Sequence, residues 1–255
     1  FPSGRRPIKS LCWYSSWNGE RLWKRCTIAG LFRYWDATAG RARTRRVMMN
    51  ISTPAISIVI PAYNEERRLP RSLEHIRAYL KKRGWDGEVI VVDDGSTDQT
   101  AQIVTEWQKQ IPMLRLVQNG QNRGKGFSVR HGMLEARARI AIFTDADLSS
   151  PIEEADKLLG VMGGGRYDVA IGSRAVDRRL ITVHQSRSRE IAGIIFNKMV
   201  QLVTGVRFVD TQCGFKAFAV DKMKPVFEQQ RIEGFGFDPE ILFLAKRNGL
   251  RITEV

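Results

Sequence analysis

Ile140-Ala141-Ile142-Phe143-Thr144-Asp145-Ala146-Asp147 is an apolar run that ends in two carboxylates one residue apart. The run is short and bounded by turn residues, which predicts a buried strand rather than a helix. Alternate residues of a strand share a side, so Asp145 and Asp147 are expected to converge where the strand leaves its sheet. Two acids held that close repel each other unless a cation lies between them. Hard divalent ions such as Mg²⁺ or Mn²⁺ take oxygen ligands and are often held by one or two carboxylates together with substrate phosphates. The competing reading is an acidic loop tip without a ligand.

The same grammar continues on either side. Ile56–Ile60, Glu88–Val92, Leu114–Val117 and Val169–Ile171 are short apolar segments, each followed by a polar cluster. Helical spacing follows most of them, with Leu73, Ile76 and Leu80 marking one face. Pro70 suits a first helical turn. A helix to about Arg137 is expected after Asn122–Gly126, another after Pro151, and a last one from about Pro239 to Arg247, before a strand at Arg251–Val255. Strands alternating with helices predict an α/β class: a Rossmann-like, mostly parallel central sheet flanked by helices, in a single domain. Ligands of such sheets bind beyond the carboxyl ends of the strands, where all these clusters fall.

The net charge of +14 resembles a nucleic-acid signal, but its distribution argues against one. Residues 1–50 hold 11 Lys/Arg against 2 Asp/Glu, and the other 205 residues hold 30 against 25. The excess belongs to the amino-terminal piece. No nucleic-acid partner is expected, and a mildly basic globular part suits anionic phosphates or an anionic lipid surface. Residues 1–50 are basic and carry Trp13, Trp17, Trp23 and Trp35 without a sustained period. This stretch is read as an extension, disordered or outside the working protein. A transit peptide or an interfacial anchor has the same composition. The working domain is expected over 51–255, with its carboxyl end cut short.

Cys12, Cys26 and Cys213 form neither a disulfide framework nor a metal spacing, which favours a reducing compartment. Cys213 reads as a small packed residue. His75, His131 and His184 have no ligand spacing and are expected at the surface. No run of about 18 apolar residues predicts a transmembrane helix. Ser186–Thr204 reads as a long helix, either packed in the core or facing lipid.

Four clusters in this order resemble the family 2 glycosyltransferases of the GT-A fold: Ile58-Val-Ile-Pro-Ala-Tyr-Asn-Glu-Glu66, Val91-Val-Asp-Asp-Gly-Ser-Thr-Asp98, Asn122-Arg-Gly-Lys-Gly126 and Thr144-Asp-Ala-Asp147. The match covers about residues 54–255. Asp210-Thr-Gln-Cys-Gly-Phe-Lys216 is similar to the branch that moves a sugar onto a polyprenyl phosphate, above all the dolichyl-phosphate β-glucosyltransferases. The resemblance implies a nucleotide-sugar donor such as UDP-glucose, a polyprenyl-phosphate acceptor, Mg²⁺ or Mn²⁺, and inversion at the anomeric carbon. It places Pro61, Ala62, Tyr63, Glu65, Asp93, Asp94, Lys125, Asp145 and Ala146 along the nucleotide sugar, and Asp145 and Asp147 on the metal. Asp147, Asp238 and Arg174 become the catalytic candidates, and Asp210, Gln212 and Lys216 line the acceptor side or the pocket wall. Mannosyl relatives often carry Gln two residues after the metal carboxylates. Ser149 stands there in this chain, which weakens GDP-mannose as donor. A cytoplasmic protein, peripheral on the cytoplasmic face of a membrane, follows from the acceptor. The oligomeric state is left open. A nucleotidyltransferase would also use paired acids and Mg²⁺, but no Gly-rich phosphate loop of the required spacing supports one.

Overall fold

A computed structural model describes residues 53–173 and 213–255, together with short strands at Leu11–Cys12, Lys24–Arg25, Phe32–Asp36 and Arg41–Arg45. Residues 1–52 form one unit and residues 53–255 a second. In the first, the four strands pair as two antiparallel ribbons. Arg174, Asp210, Gln212 and the helix expected over 186–204 lie outside the described residues.

The second unit is built on seven strands: β1 (Ser57–Ala62), β2 (Glu88–Asp93), β3 (Leu114–Gln118), β4 (Ile140–Thr144), β5 (Val169–Ile171), β6 (Phe215–Ala219) and β7 (Ile252–Glu254). Their spatial order is β7-β5-β6-β4-β1-β2-β3. All run parallel except β6, which is antiparallel to both β4 and β5. β1 and β2 are buried along their whole length, as strands covered on both faces must be.

Helices α1 (Leu69–Arg83) and α2 (Thr100–Trp107) connect strands stepping outward from β1 to β3. Helix α3 (Lys125–Glu135) returns the chain across β1 and β2 to β4, which right-handed crossovers place on the opposite face. A Cβ at Gly132 would stand 2.4 Å from Val59 Cγ1, so this glycine sets how closely α3 lies on the sheet. A 3₁₀ turn at Ile152–Glu154 leads into α4 (Ala155–Met162); α5 (Val220–Gln229) and α6 (Phe237–Arg247) pack together, and α5 packs against α3.

Two elements left unread in the sequence appear here. Phe215 and Lys216 open β6, and Lys216, assigned to the acceptor side or the pocket wall, lies inside the sheet at 1% exposed. Its neighbours in the register, Phe215 opposite Thr144 and Lys216 opposite Phe143, pull it into the sheet. Helix α5 had no clear signal because Pro225 lies inside it; proline lacks the N–H that would close a helical turn.

The end of the sheet remote from the polar clusters is stapled by Asp168. Its buried carboxylate accepts from Lys222 Nζ (2.6 Å), Arg251 N (2.9 Å) and Arg251 Nε (3.3 Å), joining the entries of β5 and β7 to α5. Burial alone would raise its pKa, but these hydrogen bonds and the Lys222 charge hold it at about 2. A depressed carboxylate stabilises the fold above its unfolded pKa, and the contribution disappears as pH falls through the folded value. Asp168→Asn is therefore expected to cost about 1–2 kcal/mol at neutral pH, discounted because both cations are half exposed. The gap from wild type in urea midpoint should close between about pH 5 and pH 2. A gap that is constant over that range would show that the ion pairs contribute nothing.

Candidate active site

The carboxyl ends of β1, β2 and β4 come together at one edge, and each ends in a carboxylate-bearing turn. The turn after β1 is locked to the turn after β2: Asn64 N donates to Ser96 Oγ (3.0 Å), Glu65 N to Thr100 Oγ1 (2.8 Å) and Glu66 N to Asp98 Oδ2 (3.1 Å). Asn64 adopts φ 55°, a left-handed conformation that asparagine tolerates. Pro61 and Ala62 are buried in β1, while Tyr63 is 46% exposed at the rim.

Asp93 and Asp94 are both buried but differ in employment. Asp94 accepts from Asn119 Nδ2 (2.7 Å), Arg123 N (3.0 Å) and Gly124 N (2.8 Å), so it anchors the loop that launches α3. Asn119 is gripped in turn by His131, which is half-buried rather than at the surface. Among the described residues, Asp93 accepts only from Ser96 N (3.0 Å) and, at 3.3 Å, from Gln118 Nε2. Of the two, Asp93 keeps more lone-pair capacity for a ligand.

Asp145 and Asp147 do not continue the strand. β4 ends at Thr144, and Leu148 N donates to Asp145 O (3.0 Å), so residues 145–148 form a turn. The strand alternation thus stops before Asp147, which corrects the expected basis for convergence. Ala146 is buried, and its carbonyl accepts from Ser72 Oγ (2.6 Å) on α1. The two carboxylates meet different cations. Asp145 Oδ1 lies 2.6 Å from Lys125 Nζ at the start of α3. Asp147 Oδ1 accepts from Ser149 N (2.9 Å) and Ser149 Oγ (2.6 Å), and its Oδ2 lies 3.6 Å from Arg68 Nη1. The other edge of Arg68 clasps Glu65 through Nε and Nη2, both at 2.7 Å. Arg68 therefore ties the turn after β1 to the turn after β4.

Gly214 backs Asp145 from the β6 side: a Cβ there would fall 2.1 Å from Asp145 Oδ2. Gly124 has φ +101° and would place a Cβ 2.6 Å from the Glu233 carbonyl, so the 232–236 loop seats directly on the start of α3. Glu240 shapes that loop by accepting from Arg231 N (2.9 Å) and Ile232 N (2.8 Å). Phe235 projects 77% exposed from the loop, its ring 5.7 Å from Lys125 Nζ. Asp238 is buried beneath it in the first turn of α6, its Oδ1 2.5 Å from Lys216 Nζ. Burial raises its pKa despite the opposing pull of Lys216, and Lys125 and Asp145 are near enough to act on it.

Sequence reasoning thus named Asp93, Asp94, Lys125, Asp145, Asp147, Lys216 and Asp238, and the structure places them within this one edge. It missed Arg68, Ser72, Gly214 and Glu240. The signals were present but ordinary: an arginine in a helix cap, a serine on a buried face, a glycine before a strand and a glutamate in a first turn.

Comparison with known proteins gives this edge a family. Residues 57–227 match the family described as glycosyl transferase family 2. The chain is similar to a dolichyl-phosphate beta-glucosyltransferase of Trichomonas vaginalis, 33% identical over 210 residues that cover 78% of this chain and 64% of that protein. It is similar to the dolichyl-phosphate beta-glucosyltransferase of Homo sapiens, 31% identical over 230 residues, covering 85% and 70%. Among solved structures it resembles glucosyl-3-phosphoglycerate synthase from Mycobacterium tuberculosis in complex with Mn²⁺, UDP-glucose and phosphoglyceric acid. There the TM-score is 0.59 at 22% identity, with 79% and 69% covered, a likeness of fold. The chain spans slightly less than two thirds of the length of the first curated relatives it matches. With its mostly parallel sheet and its acidic turn at the carboxyl edge, the chain belongs to glycosyl transferase family 2.

Proposed function

We propose that the chain transfers a sugar, glucose in the first instance, from a uridine diphosphate sugar to a polyprenyl or dolichyl phosphate. The observation that carries this reading is the Asp145–Leu148 turn, set between Lys125 and Arg68 at the same sheet edge as the buried Asp93. Two acids flanked by two tethered cations suit a diphosphate together with a divalent ion. The names of the similar curated proteins support the lipid-phosphate acceptor.

The residues fit a Mg²⁺ or Mn²⁺ ion. Asp145 and Asp147 offer hard oxygens, and among the described residues Oδ2 of Asp147 is engaged only at 3.6 Å, on a side chain 37% exposed. Among the described residues no three His, Cys, Asp or Glu side chains cluster as a closed metal site. Diphosphate oxygens would complete the shell. When bound, the ion stabilises the negative charge gathered by the leaving diphosphate. Lys125 and Arg68 lie where they can share that charge. Asp93 presents an acceptor-only carboxylate to the uracil N–H or the ribose.

An acceptor phosphate oxygen attacks the anomeric carbon, the bond from that carbon to the nucleotide's terminal phosphate oxygen breaks, and uridine diphosphate departs with the electron pair. Attack opposite the leaving group inverts the centre. The acceptor monoester has a second pKa near 6 and is mostly ionised at neutral pH, so no proton must be removed. Asp238 is engaged with Lys216 and is not required as a base. The lipid acceptor places the protein at a membrane surface, proposed as the cytoplasmic face. No helix among the described residues is long and apolar enough to cross a membrane.

A panel of UDP- and GDP-sugars against dolichyl phosphate, with and without EDTA, tests this reading. UDP-glucose is expected to yield a glucosylated lipid of inverted configuration, and EDTA to abolish it. Transfer from GDP-mannose in preference, or onto a free saccharide alone, would overturn the donor or the acceptor assignment.

A further inference from the structure

Both acids of the Asp145–Asp147 turn face a cation of the protein itself, and the two cations are held in different ways. Lys125 is a single flexible charge at 2.6 Å from Asp145, with both side chains about one-quarter exposed. Its ammonium also sits 5.5 Å from the ring of Phe143 and 5.7 Å from that of Phe235, which favour a cation. Arg68 is a rigid fork whose better edge is committed to Glu65, leaving one nitrogen for Asp147. A divalent ion approaching this turn meets one carboxylate paired with Lys125, a second that shares Arg68 with Glu65, and two tethered cations that repel it.

Resting on the donor reading above, we propose that Lys125 and Arg68 are resident counter-ions that oppose metal binding until a nucleoside diphosphate arrives. The diphosphate brings negative charge to which Lys125 and Arg68 can turn, and the released carboxylates are then free to take the metal. Metal and nucleotide consequently bind as a coupled pair, each raising the affinity for the other by the same factor. Lys125, the closer and less exposed of the two cations, carries most of the opposition. Glu65 acts through Arg68: it keeps the guanidinium in place and limits how far it can follow the diphosphate. The two cations therefore also select for a diphosphate, because a monophosphate brings too little charge to draw both away.

The test measures Mn²⁺ binding to the full chain by the loss of free-ion paramagnetic resonance signal, with and without UDP. In the wild type, saturating UDP is expected to tighten Mn²⁺ binding by about 10-fold or more, within the usual range of coupling between sites. Lys125→Met should tighten Mn²⁺ binding in the absence of nucleotide by about 10-fold and reduce the enhancement by UDP; Arg68→Gln should move both quantities the same way, by less. Lys157→Met, which removes one positive charge on α4 that is paired with Glu154, controls for net charge. If UDP binds and enhances Mn²⁺ binding in the wild type, but neither Lys125→Met nor Arg68→Gln tightens binding of the metal alone, the counter-ion proposal is wrong and the donor reading stands. If UDP neither binds nor alters Mn²⁺ binding in the wild type, the donor reading itself fails, and the counter-ion proposal with it.

Discussion

Asp147→Asn is expected to lower turnover with UDP-glucose and dolichyl phosphate by about 10³-fold or more, a loss at the upper end for one group that stabilises transition-state charge. The substitution is nearly isosteric, and the amide oxygen can still accept from Ser149 N and Ser149 Oγ. Arg68 keeps its bidentate pair with Glu65, so no cation is stranded. The side chain is 37% exposed, and substitutions at such positions usually change stability within about ±0.5 kcal/mol. The unfolding midpoint should accordingly stay within about 2 °C of the wild type for a domain of this size. What disappears is one unit of negative charge at the point where a divalent ion would meet the leaving diphosphate. Initial rates across a Mg²⁺ and Mn²⁺ titration, with a melting curve for each protein, check this. Wild-type turnover by the variant in saturating metal would remove Asp147 from the metal site, whatever its effect on folding.

The contrast between what was legible in the sequence and what was not has a physical basis. The strands β1, β2 and β4 announce themselves because a strand buried on both faces needs an unbroken apolar run. The polar residues after them are then conspicuous: Asp145 and Asp147 stand out by position, while the resemblance to family 2 assigned Tyr63, Asp93, Asp94 and Lys125 their roles. β6 escaped notice because it carries Lys216 at a fully buried site, a placement that makes sense only beside Asp238, 22 residues later. Arg68 escaped for a similar reason. Its partner Glu65 is local, but Asp147 is 79 positions away and reaches it only because α1 and the turn after β4 meet through the Ser72–Ala146 hydrogen bond. The strand geometry assumed for Asp145 and Asp147 was mistaken because antiparallel pairing with β6 ends at Thr144, and the hydrogen bond from Leu148 N to Asp145 O then turns the chain. Residue types reveal chemistry, while the pairing of a carboxylate with one cation among several is set by packing between distant segments.

Asp238→Asn is expected to act first through stability. Its carboxylate and the Lys216 ammonium are 2.5 Å apart, with side chains 7% and 2% exposed, and Lys216 Nζ also donates to the Cys213 carbonyl. Removing one partner of such a buried pair leaves the other charged and uncompensated, at a cost of about 3–5 kcal/mol. In a unit of this size that lowers the unfolding midpoint by about 6–20 °C. Replacing both partners removes the stranded charge, so Asp238→Asn with Lys216→Met should recover about half of the loss or more. The same pair of proteins separates two roles for Asp238 in catalysis. A proton acceptor would leave the double variant folded but slower by about 10²–10⁴-fold. If Asp238 serves to compensate the Lys216 charge, turnover with dolichyl phosphate recovers along with stability, because the double variant leaves no uncompensated charge at this edge of the sheet. The second outcome is expected, since an ionised phosphate acceptor has no proton to give up at neutral pH. A measured pH–rate profile adds a check that stability alone cannot mimic: the double variant should keep the wild-type acidic limb, which on this account reports ionisation of the acceptor phosphate rather than of Asp238.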